Sequence, residues 1–140
     1  MIDEYNGDPR KIWNAQRDVN VVRERLLEIP GIGTGIAEMT LLILARNKGL
    51  LGGRKAKPHI NVKPDVHVRR VFIRSGLVKR GASDREVMDT ARELAPDFPG
   101  SLDAPCWDIG RKYCRPRRPD CAECPLTAVC PGTGLSTRRE

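Results

Sequence analysis

The stretch CRPRRPDCAECPLTAVC, residues 114–130, carries four of the chain's five cysteines at the spacing C-x6-C-x2-C-x5-C. If the four sulfurs share one ligand, the two ends of this segment must meet, which fixes the path of the chain around it. The amino-terminal residues MIDEYNGDPR have neither a basic start nor an apolar core, and no apolar run reaches the roughly 18 residues of a membrane span, so neither secretion nor membrane insertion is expected. In a reducing cytosol, clustered cysteines are candidates for metal or cluster ligation, not for disulfides. Four thiolates are the usual ligand set of an iron–sulfur cluster. Zinc also accepts four, but its sites usually pair their ligands in two close knuckles, and here only Cys121 and Cys124 form a close pair. Cys114, Cys121, Cys124 and Cys130 are therefore expected to hold iron and sulfide, with zinc as the competing occupant. The fifth, Cys106, lies between Pro105 and Trp107 in a helical pattern and reads as a small buried hydrophobe.

Upstream of the cysteines the apolar residues recur at helical spacing, and nothing alternates for long enough to make a strand, so the fold class should be all-α. Asp8 and Pro9 form a cap and first-turn pair for a helix through Gln16. Asp18 can cap VNVVRERLLEI, where Val22, Leu26 and Ile29 share one stripe and Pro30-Gly31 end the helix. Thr34 is expected to cap GIAEMTLLILAR, which is apolar on most sides and so central. Residues 47–64, with Gly, Pro and Lys and no period, read as a loop. From Asp65 a helix should run to Arg74 and stop at Gly76. Ser83 and Glu86 make a capping box for DREVMDTARELA, and a last helix, SLDAPCWDIGRKYC, leads into Cys114. The organisation expected is a helical region over 1–113, a cluster loop over 114–130 and a disordered tail over 131–140.

The formal charge of +7 is unevenly carried: residues 46–80 hold eleven lysines and arginines against Asp65 alone. A basic zone in an otherwise slightly acidic chain points to a polyanion, and without a membrane anchor nucleic acid leads.

Two motifs sharpen that reading. In LLEIPGIGTGIAEMTLLILA, glycines between two helical patterns expose backbone N–H groups at a helix start, where the dipole favours an anion. Further on, KPDVHVRRVF sets an aspartate at the opening of a helix. A carboxylate there can stabilise the sugar cation formed when an N-glycosidic bond breaks, or orient the attacking water. It can equally do no more than cap its helix.

The pattern L-x-x-I-P-G-I-G, the aspartate segment, the G-R-x-x-C helix end and the cysteine spacing, in that order, resemble the HhH-GPD superfamily of DNA glycosylases, endonuclease III-like and MutY-like, from about Asp8 to Cys130. The resemblance implies a helix-hairpin-helix glycosylase fold with a hairpin over about 22–46, an aspartate loop and helix over 60–75, and a C-terminal 4Fe-4S cluster loop. It implies Asp65 as the catalytic residue in base excision repair and double-stranded DNA as the partner. It further implies backbone contacts from Gly31, Ile32, Gly33, Thr34, Gly35, Arg69 and Arg70, and from Arg115, Arg117 and Arg118 in a loop pinned to the cluster. A cytoplasmic, nucleoid-associated protein follows. His67 is expected to pack or hydrogen-bond.

Two departures stand out. Gly35 occupies the place where endonuclease III-like members carry a Schiff-base lysine, so AP lyase activity by that route is not expected; Lys55, Lys57 or Lys63 are the possible substitutes. Only 29 residues precede Pro30, fewer than the family's helical barrel needs; the readings are a fragment or misassigned start, a second chain or homodimer completing the barrel, or a non-catalytic iron–sulfur DNA-binding module, and an exposed apolar face is expected.

Overall fold

The computed structural model describes residues 5–14, 18–48 and 50–132, and every regular element among them is helical. In chain order α1 is Lys11–Asn14, α2 Val19–Leu27, α3 Thr34–Lys48, α4 Val66–Arg74, α5 Asp84–Leu94 and α6 Asp103–Lys112. Short 3-10 helices cover Gly53–His59 and Pro99–Leu102. None of the described helices is long and apolar enough to cross a membrane. Gln16, where the first helix was expected to end, and residues 133–140 of the expected tail lie outside the described residues.

The helix starts follow from side chains that satisfy otherwise unpaired N–H groups, each worth about 1 kcal/mol. Asp18 accepts from Asn20 N at 2.8 Å and Val21 N at 3.3 Å. Ser83 and Glu86 form the full capping box, with Ser83 N donating to Glu86 Oε2 at 2.7 Å and Glu86 N to Ser83 Oγ at 3.2 Å. One expectation is corrected: Thr34 is the first helical residue, and Gly33 stands before it with its carbonyl accepting from Ala37 N at 3.0 Å. A second correction concerns 47–64, where Gly53–His59 wind into a 3-10 helix because Ala56, with Leu51 and Ile60 on either side, is drawn into the core.

Two cores result. In the first, Val22 and Leu26 of α2 meet Ala37, Leu41 and Leu42 of α3, closed over by Leu51, Ala56 and Ile60. The second joins Val62, Val68 and Phe72 to Val87 and Ala91 of α5, with Cys106 packed against them. Cys106 packs as the small hydrophobe expected but is only partly buried, and desolvation pushes its thiol up to about 11. Between the cores a buried ion pair ties three elements: Arg23 Nε donates to Glu38 Oε1 at 2.6 Å, Arg23 Nη2 to the His59 carbonyl, and Asn61 N to Glu38 Oε2 at 3.2 Å. Glu38 is 2% exposed, so loss of Arg23 would leave an uncompensated buried charge, at a cost of about 3–5 kcal/mol.

Helices α4 and α6 cross most closely at Gly110, where an added Cβ would stand 2.8 Å from His67 Cβ and 2.9 Å from the His67 carbonyl oxygen. That close approach places the start of α4, which carries Asp65, beside the helix that leads into the cysteines. Apolar side chains remain on the outer surface, with Ile36 51% and Ile43 49% exposed on α3.

Candidate active site and nucleic-acid interface

The turn between α2 and α3 presents backbone, not side chains. Gly31 has φ +88°, in the left-handed region, and a Cβ at Gly31 or Gly33 would meet nothing within 4 Å. The requirement for glycine at 31 is therefore conformational, and at neither position is it a matter of packing. Ile32 N donates to the Ile29 carbonyl at 3.0 Å, whereas the N–H groups of Gly33, Thr34 and Gly35 find no acceptor among the described residues. Three adjacent free donors at the start of a 15-residue helix form a seat for an anion.

Asp65 caps α4: its Oδ1 accepts from His67 N and Val68 N, both at 2.9 Å. Its Oδ2 accepts no hydrogen bond among the described residues, and the side chain is half-buried. One oxygen holds the helix and the other remains available. Next to it stands Asp103, the first residue of α6, which is 5% exposed and accepts from Lys63 N at 2.6 Å through Oδ2. Burial pushes the Asp103 carboxyl up, the Lys63 N–H opposes this, and the negative charge of Asp65 adds to it. Asp103 escaped the sequence reading because an acidic residue in a first helical turn is ordinary; its only signal was its place before Pro105 in the helix that enters the cluster loop. A groove of about 340 Å³ runs past it between α3 and α6, lined by Met39, Leu42, Ile43, Arg46, Asp103, Ala104 and Trp107. His67 plays the packing role expected, edge-on to Trp107 at 5.9 Å between ring centroids and paired through Nδ1 with Arg70 Nη2 at 3.0 Å.

The arginines divide into two groups. The Arg69 guanidinium is engaged inside the protein, donating to the Ala82 carbonyl and pairing with Asp84 at the start of α5. Arg70 donates to the carbonyls of Gly110 at 2.7 Å and Cys114 at 2.5 Å, so it ties the end of α6 to α4. One turn on, Arg74 reaches the carbonyls of Arg115 at 2.6 Å and Pro116 at 3.0 Å and the Cys114 sulfur at 3.5 Å. Its own carbonyl accepts from Cys130 Sγ at 3.4 Å, so Arg74 touches both the first and the last cysteine of the quartet. Sequence reasoning missed it, although its i, i+4 spacing from Arg70 put both on one face of α4. In the second group, Arg117 and Arg118 stand exposed and in no ion pair among the described residues, and Arg115 lies 4.0 Å from Asp120.

The four cysteines come together. All four line one cavity of about 210 Å³, with Arg74, Tyr113, Pro119, Asp120 and Thr127 among its other walls. Desolvation of its sulfur, and next the charge of the three neighbouring sulfurs, push the Cys121 thiol up. Among the described residues no group of three His, Cys, Asp or Glu side chains closes on a point where a metal ion could sit. The thiols thus ring a volume, and that volume is far larger than one ion. Donation from Asp120 N to the Tyr113 carbonyl at 2.9 Å closes the neck of the arginine-bearing loop.

No protein-family model matches the chain. It is 32% identical over 111 residues to a thymine-DNA glycosylase of Aeropyrum pernix, an alignment covering 77% of this chain and 46% of that protein. To an endonuclease III of Thermotoga maritima it is 33% identical over 108 residues, covering 76% and 45% of the two chains. A solved structure described as a non-covalent endonuclease III–DNA complex superposes with a TM-score of 0.66 at 28% identity, covering 94% of this chain and 51% of that one. The chain thus has the endonuclease III fold and spans about half the length of these relatives.

Proposed function

We propose that this endonuclease III-like chain, with its resemblance to the HhH-GPD glycosylases, is a DNA glycosylase of base excision repair that cleaves the N-glycosidic bond of a damaged or mispaired base in double-stranded DNA. The observation that carries the reading is the divided Asp65 carboxylate: Oδ1 is fixed by two backbone N–H groups, Oδ2 accepts no hydrogen bond among the described residues, and the neighbouring Asp103 lines an open groove. A carboxylate oriented in this way is poised to stabilise an oxocarbenium-like sugar or to hold the water that attacks it.

The donors of Gly33, Thr34 and Gly35, in the turn that Gly31 and Ile32 shape, would hold a backbone phosphate without reading sequence. Arg115, Arg117 and Arg118 would add contacts from the cluster loop, while Arg69 and Arg70 brace the scaffold that carries Asp65. The ring of Cys114, Cys121, Cys124 and Cys130 fits a 4Fe-4S cluster in ligand number and in the volume enclosed, more than it fits one zinc ion. When bound, the cluster supplies a rigid cross-link among four thiolates. The hairpin itself offers no amine at Gly35, so base release does not depend on one.

The test is alkali cleavage of duplexes containing uracil, mismatched thymine, oxidised pyrimidines or adenine opposite oxidised guanine after incubation with the protein. Alkali-labile sites that disappear with Asp65→Asn support the reading. Tight binding with no such site on any duplex would instead make the chain a DNA-binding module. Iron analysis decides the cofactor: about four irons per chain fit one cubane, and one zinc with no iron rules it out.

A further inference from the structure

Gly35 is not bordered by empty space. A Cβ built there would stand 3.7 Å from Lys63 Cγ and 3.8 Å from Lys63 Cε, so the stem of Lys63 occupies the room a longer residue at 35 would use. The Lys63 backbone is held on both sides, its N–H by Asp103 Oδ2 at 2.6 Å and its carbonyl by Asp65 N at 2.7 Å. Val62 before it is fully buried and Pro64 follows, which restricts the backbone further. The ammonium makes no ion pair among the described residues. The other lysines nearby in sequence point elsewhere: Lys57 Nζ lies 5.5 Å from the centre of the Phe98 ring, and Lys55 stands exposed on the 3-10 helix.

We infer that Lys63 is the nucleophile of an AP lyase step, delivered over Gly35 from the loop before Asp65 and not from the hairpin. The inference rests on the glycosylase reading, since its substrate is the abasic sugar that base release leaves. The neutral amine lone pair forms a bond to C1′ of the ring-opened aldehyde, and the aldehyde oxygen departs as water with the two amine protons. Protonation of the resulting imine on nitrogen makes it an electron sink. Loss of the C2′ proton to the free oxygen of Asp65 then breaks the C3′–O bond, and the electron pair leaves with the 3′ phosphate.

The full chain is incubated with a duplex carrying a preformed abasic site in the presence of borohydride, which delivers hydride to the imine carbon and fixes it as a secondary amine. A covalent adduct is expected, and peptide mass mapping should place the added sugar on Lys63. Lys63→Gln should abolish the adduct. The double variant Gly35→Lys with Lys63→Gln should restore it and move the mass to residue 35, because the two positions share one space. An adduct mapped to any other amine in the unaltered chain overturns the inference, as does binding of the abasic duplex with no adduct. Absence of both binding and base release overturns the glycosylase reading, and this inference with it.

Discussion

Asp65 caps α4, and under the proposed function it also serves base release, two tasks that substitution can separate. Asparagine caps a helix as well as aspartate does, but it carries no charge. Asp65→Asn should therefore leave thermal stability nearly unchanged and abolish base release. Asp65→Ala should lose both, with about 1 kcal/mol of stability given up with the cap. If Asp65→Asn unfolds the protein as readily as Asp65→Ala, the cap depends on charge and the two tasks cannot be separated. Its neighbour Asp103 gives a second test. Its carboxyl sits above the ordinary value because burial disfavours the ionised form, so its contribution to stability is fully present below the ordinary carboxylate range and is lost as pH rises through the raised value. Asp103→Asn keeps an acceptor for Lys63 N and removes the buried charge. The variant should melt no lower than the unaltered chain at neutral pH, and its advantage should vanish in acid. Melting curves recorded across pH check this; a lower melting point at neutral pH would mean that the charge itself holds Lys63.

At the level of elements, the features legible in the sequence were those decided within a few residues. The caps at Asp18, Asp65 and Ser83 and the break at Gly76, with φ +77°, each depend on one side chain or one backbone angle. The 3-10 helix Gly53–His59 was not legible, because it forms only when Ala56 is buried against residues distant in sequence. The brace from Arg23 through Glu38 to Asn61 was hidden for the same reason: its partners are 15 and 23 residues apart. The site divides likewise. Asp65 and the cysteines carry local patterns, while Asp103, Arg74 and the seat of Lys63 over Gly35 exist only once α4 meets α6 and the loop before α4 meets α3. The α4–α6 crossing is itself testable at Gly110. A methyl group there would stand within 2.8 Å of His67 Cβ, and the obstacle includes backbone, which cannot swing aside. Gly110→Ala should destabilise the fold by about 1–3 kcal/mol through overpacking. Because α6 leads into Cys114, a chain carrying the proposed cluster should also release iron more readily from this variant during denaturant titration. Wild-type stability in Gly110→Ala would show that the helices can part without cost.

Across the whole molecule, the basic zone of residues 46–80 serves two purposes. Arg69, Arg70 and Arg74 turn inward and assemble the scaffold, and Arg70 and Arg74 in particular hold α6 and the cysteine loop to α4. Positive charge facing solvent comes instead from a pocket of about 500 Å³ bounded by Arg46, Arg54, Lys57 and Phe98, and from the loop bearing Arg115, Arg117 and Arg118. If that loop grips phosphates because the cysteines pin its ends, its grip depends on rigidity as well as charge. Each phosphate neutralised contributes about −0.9 to the slope of log affinity against log salt concentration. Replacing the three arginines with serine should make that slope shallower by about 0.9 for each phosphate no longer held. If the four cysteines hold the proposed cluster, its oxidative removal would leave all three charges in place but free the segment between Cys114 and Cys121, so it should shallow the slope in the same direction. A slope that changes with the arginine variant and not with iron removal would mean that the peptide scaffold alone, through Arg74 and the Asp120–Tyr113 hydrogen bond, keeps the loop in register.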